Sequence, residues 1–196
     1  SQQRASSNFR YACELVRNGY VGQLHTIKVG APPSIVLGDL TLAPVPDWID
    51  YDLWLGPAPE APYHKDRCLY NFRFHYDYAG GQTTNFGAHS LDMAQWGLGM
   101  DDSGPVQVEH VFADYLPEGS LFNAATYSNF RCTYENGVIL ECCTAVPSVR
   151  CIFEGSDGLV RVDNQGQNFV TIPEEIKLST ATSEDPKKYA SNDDHQ

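Results

Sequence analysis

Gly80-Gly81-Gln82-Thr83-Thr84-Asn85-Phe86-Gly87-Ala88-His89-Ser90-Leu91-Asp92-Met93-Ala94-Gln95-Trp96-Gly97-Leu98-Gly99 reads as a tight turn followed by a helix. The glycine pair lets the backbone turn sharply, and Thr83, Thr84 and Asn85 are types that accept hydrogen bonds from the orphan amides of a helix start. The spacing predicts a helix from near Phe86 to Gly97 or Gly99, where glycine ends it. His89, Asp92 and Trp96 share one face at i, i+3 and i+7, while Leu91, Ala94 and Leu98 form an apolar stripe for the core. His89 falls in the first turns, where the positive end of the helix dipole disfavours an imidazolium and leaves the ring able to accept a proton. Spacing alone leaves two alternatives open, a proton acceptor or an ordinary half-buried histidine bonded to Asp92, and it favours the second.

Towards the N-terminus, Ser6 or Ser7 is placed to cap a helix through Phe9, Ala12, Cys13, Leu15 and Val16, which Asn18-Gly19 closes. Gln23 to Gly30 alternates as a strand does. Ala31 to Pro62 is proline-rich, which excludes regular structure over much of it. Within it, Asp50 to Leu55 reads as one helical turn stopped by Gly56-Pro57, with Trp48 and Trp54 anchoring the loop to the body. Tyr63 to Tyr78 mixes aromatic and basic residues; Arg73 either pairs with Asp77 or faces a ligand oxygen.

Towards the C-terminus the pattern turns to strands. Val106 to Ala113 alternates. Tyr127 to Glu135 and Val138 to Val146 flank Asn136-Gly137, which as a two-residue turn pairs Tyr134 with Ile139, Cys132 with Glu141 and Arg131 with Cys142. Val149 to Gly155 and Leu159 to Asp163 form a second hairpin, and Asn168 to Ile172 a last strand. From Pro173 the apolar pattern fades, and residues 179–196 read as a polar, poorly ordered tail.

The 196 residues suffice for one domain with a real core. A formal charge of −12 argues against nucleic acid as a partner, because phosphate binding needs basic patches. No apolar run reaches the length of a membrane span and the start lacks a signal-peptide layout, so no membrane partner and a cytoplasmic location are expected. The six cysteines lack CxxC spacing and read as buried reduced thiols. His75, Asp77, His89 and Asp92 are ligand types without diagnostic spacing, and no metal is expected.

Together, Gly80-Gly81, Gly87-Ala88-His89, Asp92 and Trp96-Gly97-Leu98-Gly99 resemble the signature of the Gfo/Idh/MocA oxidoreductases, in particular a planctomycete-type sub-group. The resemblance extends through Glu14-Leu15-Val16-Arg17-Asn18-Gly19, Trp54-Leu55-Gly56-Pro57-Ala58-Pro59, Phe72-Arg73, Asp77-Tyr78 and Phe153-Glu154-Gly155-Ser156-Asp157-Gly158. It implies an α+β fold: an open, mainly antiparallel sheet with helices packed on one face, like the C-terminal domain of glyceraldehyde-3-phosphate dehydrogenase. Family members have two domains, and the resemblance covers the second, residues 1–178, with 179–196 as the truncated end. No G-x-G-x-x-G occurs, so the nucleotide-binding Rossmann half is expected to lie elsewhere and this chain to hold no NAD or NADP tightly.

The resemblance further implies the substrate side of an NAD(P)-dependent dehydrogenase acting on a sugar, cyclitol or polyol hydroxyl. His89 becomes the catalytic base, with Asn85 beside it and Arg4, Arg73, Tyr78 and Asp92 on the substrate. Many relatives carry an aspartate where Asn85 stands; asparagine can hydrogen-bond a hydroxyl but cannot relay a proton. Two alternatives follow. One is a redox-elimination glycosidase that uses NAD without net oxidation. The other is a non-catalytic domain that binds carbohydrate or oligomerises through the sheet. A homo-oligomer through the sheet face is expected, and the chain alone is expected to be inactive.

Overall fold

The strand Leu24–Gly30 (β1) runs through the middle of a seven-stranded sheet. The computed structural model describes residues 2–34, 40–146 and 148–178. The polar tail expected over 179–196 lies outside the described residues, as does 35–39 of the proline-rich loop. The remaining strands are β2 Gln107–Asp114, β3 Tyr127–Thr133, β4 Ile139–Cys143, β5 Arg150–Gly155, β6 Leu159–Asp163 and β7 Asn168–Ile172. Their spatial order is β2-β3-β4-β1-β5-β6-β7. β1 pairs parallel with β4, and the other neighbours pair antiparallel. This is the expected open, mainly antiparallel sheet.

The helices are α1 Ser7–Arg17, α2 Tyr51–Leu55, α3 Gly81–Thr84, α4 Phe86–Leu98 and α5 Glu175–Leu178. α1 presents Phe9, Ala12, Cys13 and Val16 at helical spacing, and α1 and α4 lie side by side on one face of the sheet. Facing them are Ile27, Val29, Leu140, Cys151, Phe153, Val160 and Val162, all buried. Fully burying a side chain such as Leu15, Ile27 or Phe153 is worth roughly 1.5–3 kcal/mol. The opposite sheet face is mixed: Lys28 pairs with Glu154 at 2.8 Å and Arg131 with Glu141 at 3.2 Å. No helix among the described residues is long and apolar enough to cross a membrane.

Four local expectations change. The buried face of α4 is Gly87, Ser90, Met93, Ala94 and Gly97, with Leu91 and Leu98 only half-buried beside it. Small residues face the sheet because the helix approaches it closely: a Cβ at Gly97 would lie 2.4 Å from Phe153 Cε1. The β3–β4 hairpin is one residue out of the expected register, with Cys132 opposite Leu140 and Arg131 opposite Glu141. Gly137 (φ +82°) donates its N–H to the Tyr134 carbonyl, so the connection is a three-residue loop with glycine in the left-handed position. Trp48 does not anchor its loop, being 68% exposed. The chain after Pro173 adds the short helix α5, whose Ile176 is buried.

Candidate functional site

The start of α4 is held from three sides. Gly81 holds a left-handed backbone (φ +68°) that strains any side chain, and a Cβ there would press on Ala124 Cβ at 3.0 Å and Ser34 Oγ at 3.2 Å. The Gln82 N–H donates to that Ser34 hydroxyl at 3.0 Å. Thr83 Oγ1 lies 2.9 Å from Ser128 Oγ, tying α3 to β3. The chain then bends at Asn85 (φ −85°, ψ −87°) and α4 begins.

The capping expected of Thr83, Thr84 and Asn85 does not occur by side chain. Thr84 Oγ1 accepts from the Gly80 N–H, and Asn85 Nδ2 donates to Gln82 Oε1 at 3.1 Å, with no cap bond to α4. The physical reason is α3: a helical turn precedes Asn85, whose φ −85° and ψ −87° lie outside the extended backbone from which an N-cap side chain reaches its helix. At the other end α4 closes as expected, Gly99 taking the left-handed conformation while the Gly99 and Met100 amides bond back to Trp96 and Gln95.

His89 is half-buried in the first turns of α4 with Phe86 edge-on at 6.2 Å. Its Nδ1 is enclosed and has no hydrogen-bond partner among the described residues. The bond to Asp92 is not made at Nδ1. For the ring to accept a proton at Nε2, Nδ1 must carry the other proton, and an enclosed N–H without an acceptor is costly, about 1–3 kcal/mol.

Asp92 instead pairs with Arg4, whose Nη2 donates to its Oδ1 at 2.9 Å and to Asp101 Oδ1 at 2.6 Å. The hydrogen bond to Asp92 leads the causes that raise the Arg4 pKa further above its ordinary value. The Arg4 guanidinium also lies 5.3 Å from the Trp96 ring. Two of the expected substrate contacts are thus bonded to each other. Arg73 neither pairs with Asp77 nor stands free: its guanidinium lies 3.4 Å from the Tyr70 ring centroid and its Nη1 donates to the Tyr70 carbonyl. Its Nε is buried without a partner.

Tyr78 belongs to a group that sequence reasoning assembled only in part. Trp54 meets it edge-on at 4.9 Å, and the His75 ring lies tilted against it at 5.1 Å. Burial raises the Tyr78 pKa, so its hydroxyl keeps its proton, and that hydroxyl too is enclosed without a partner. The signal was present in His75-Tyr76-Asp77-Tyr78 and in Trp54-Leu55-Gly56-Pro57, but Trp54 and Tyr78 stand 24 positions apart in the chain.

The glycine pair does not fit a dinucleotide. Gly81 is explained by its left-handed backbone and its tight fit against Ala124 and Ser34, and α3 behind it has four residues, too few to present a helix dipole to a pyrophosphate. Among the described residues no three His, Cys, Asp or Glu side chains are grouped as metal ligands.

The family model for the C-terminal α/β domain of the Gfo/Idh/MocA oxidoreductases matches residues 35–192. No curated protein sequence matches the chain. Among solved structures, an aldose-aldose oxidoreductase from Caulobacter crescentus complexed with glycerol superposes with TM-score 0.60 at 19% identity, over 87% of this chain and 42% of that one. A super-repressor mutant of Gal80p from Saccharomyces cerevisiae gives 0.57 at 15%, over 87% and 41%. The WlbA dehydrogenase from Bordetella pertussis in complex with NADH and UDP-GlcNAcA gives 0.55 at 12%, over 86% and 44%. At these identities the likeness is one of fold, and the chain spans less than half the length of these structures.

Proposed function

The chain belongs to the Gfo/Idh/MocA oxidoreductase family, whose C-terminal α/β domain it carries, and on that premise we propose that it supplies the substrate side of an NAD(P)-dependent enzyme. The substrate is a sugar, cyclitol or polyol, and a separate Rossmann domain holds NAD or NADP. Residues 1–178 form the substrate domain and 179–196 a polar tail. Two fold neighbours support the substrate and cofactor classes, one complexed with glycerol and one with NADH and UDP-GlcNAcA.

His89 is the base that takes the proton from the reacting hydroxyl. The observation that supports this is its half-buried place in the first turns of α4, where the positive end of the helix dipole favours the neutral ring. A ring that accepts at Nε2 needs an acceptor at Nδ1, and none of the described residues provides it. The catalytic state is completed by a group from outside them. Asn85, Arg73, Tyr78, Arg4 and Asp92 stand on the substrate side, Asn85 as a hydroxyl contact rather than a proton relay.

The test is the His89→Gln variant of the enzyme with its nucleotide-binding half present. Turnover falls by roughly a hundredfold or more, as loss of a general base requires. Turnover at the parent rate removes His89 from the mechanism.

A second reading has its own observation. The Asn85 amide is bound to Gln82 Oε1, and no carboxylate stands at that position. The same fold also serves a super-repressor mutant of Gal80p. A non-catalytic carbohydrate-binding or oligomerising domain predicts no redox turnover by the parent at all.

We also assign homo-oligomerisation to the open sheet face, where Val111, Phe112, Val170 and Ile172 are 58%, 50%, 41% and 58% exposed. A monomer by light scattering overturns that assignment. Six free thiols suit a reducing compartment, and we place the protein in the cytoplasm.

A further inference from the structure

Trp54, Phe72 and Tyr78 line a cavity of about 470 Å³, with Leu55, Pro57 and Asp77 completing much of its wall. That volume falls in the range of small-molecule pockets, roughly 300–1,000 Å³. We propose that this cavity is a subsite for a neutral pyranose ring. The inference takes its ligand class from the sugar reading above and adds where on this chain a ring is held.

The cavity is built before any ligand arrives. Asp50 Oδ1 accepts the Leu53 N–H at 3.0 Å and starts α2, and Gly56 (φ +53°) ends it. The Tyr51 hydroxyl donates to the Ala61 carbonyl at 3.0 Å, and Arg67 Nη1 donates to the Pro62 carbonyl at 3.0 Å. The two arms of the loop are thereby tied together. Tyr51 stacks on Trp54 at 5.7 Å and 14°, while Tyr63 meets Tyr51 edge-on at 5.4 Å. With Tyr78 packed edge-on against it as well, at 4.9 Å, the indole needs no ligand to hold its orientation.

Two residues of the cavity wall, Asp77 and Tyr78, carry polar groups without partners. The Asp77 N–H donates to His75 Nδ1 at 3.3 Å. Burial lowers the His75 pKa and favours the neutral ring. A neutral ring accepting at Nδ1 carries its proton on Nε2, so Nδ1 cannot donate to the Asp77 carboxylate 3.5 Å away. Asp77 therefore keeps its acceptor positions open. The Tyr78 hydroxyl is a donor without an acceptor.

Aromatic side chains beside one open carboxylate match a sugar ring, which has an apolar C–H face and a rim of hydroxyls. The carboxylate sets the charge preference. A uronate or phosphosugar would bring a second negative charge against Asp77, which costs affinity.

The experiment titrates methyl β-D-glucopyranoside, and separately its uronate analogue, into the 196-residue chain, reading calorimetry and the indole N–H resonances. Saturable glucoside binding is expected, with the Trp54 resonance shifting and that of Trp96, which packs against Arg4, unmoved. Trp54→Leu weakens glucoside binding by about tenfold, the upper range for an aromatic contact. Tyr78→Phe, which keeps the ring and removes only the hydroxyl, weakens it less. Asp77→Asn admits the uronate about tenfold better than the parent chain does.

Absence of saturable glucoside binding overturns the subsite. Saturable binding that leaves Trp54 unshifted, and that both Trp54→Leu and Asp77→Asn preserve, also overturns it while leaving the sugar reading intact. That broader reading stands or falls separately, on turnover by the His89→Gln enzyme.

Discussion

Arg4 and Asp92, 88 residues apart in the chain, are joined by three hydrogen bonds: Nε to both carboxylate oxygens at 3.2 Å and Nη2 to Oδ1 at 2.9 Å. Nη2 also reaches Asp101, so one guanidinium ties the first turn of the chain to the middle of α4 and to the loop after its cap. The side chains are 35% and 23% exposed, which places the pair between a surface ion pair and a buried one. Arg4→Gln is expected to lower stability by about 1 kcal/mol and the melting temperature by roughly 2–4 °C. A melting temperature unchanged in low salt means the network contributes nothing measurable.

Gly97 and Phe153 set how near α4 lies to the sheet. A Cβ at residue 97 would come within 2.4 and 2.5 Å of two ring carbons, and the ring is wholly buried. Alanine is the better helix former by about 1 kcal/mol, so propensity and packing oppose each other at this residue. Packing wins, because an overpacked core costs typically 1–3 kcal/mol and more where the neighbour cannot move. Gly97→Ala lowers the urea midpoint at unchanged m-value; a raised midpoint means the ring can shift.

Strand positions were legible where alternation and turn residues agree, as at Leu159–Asp163 and Asn168–Ile172. The β3–β4 register was legible in principle but misread from Asn136-Gly137 alone. Cys132, Tyr134, Val138, Leu140 and Cys142 are the buried positions, all even-numbered, so only an odd-length loop sets buried opposite buried. The inward face of α4 was hidden because glycine contributes nothing to an apolar pattern, and its reason lies in Phe153, on a strand far along the chain. His89 stood out through its surrounding motif. The Asp92 partner did not, since no local rule connects residue 92 to residue 4. The Trp54–Tyr78 contact escaped for the same reason.

The cysteines make a separate test of the core. All six are free thiols, five of them buried and Cys143 half-buried. Burial pushes the Cys142 thiol up to about 12 and raises those of Cys13, Cys132 and Cys151 as well. Since the thiolate is the nucleophile, enclosure and protonation both slow these groups. Ellman's reagent should modify Cys143 first in the native chain and the other five only on unfolding. Fast reaction of several thiols in the native state contradicts the packing of β4 and β5.

His75 makes stability depend on pH in a direction that follows from its surroundings. Its side chain is 14% exposed, with Asp77 and Arg67 as the nearby charges. Desolvation lowers its pKa below the ordinary 6.5; Arg67 acts in the same sense and Asp77 against it. Between the folded value and 6.5 the unfolded chain therefore binds more protons than the folded one, and stability rises with pH through that window. The contribution of the neutral ring is complete above about 6.5 and is lost as the pH falls below it. Urea midpoints measured from neutral pH downward should fall for the parent chain and fall less steeply for His75→Gln. Equal slopes mean that some other group governs the acid limb and that the ring beside Asp77 is not held neutral.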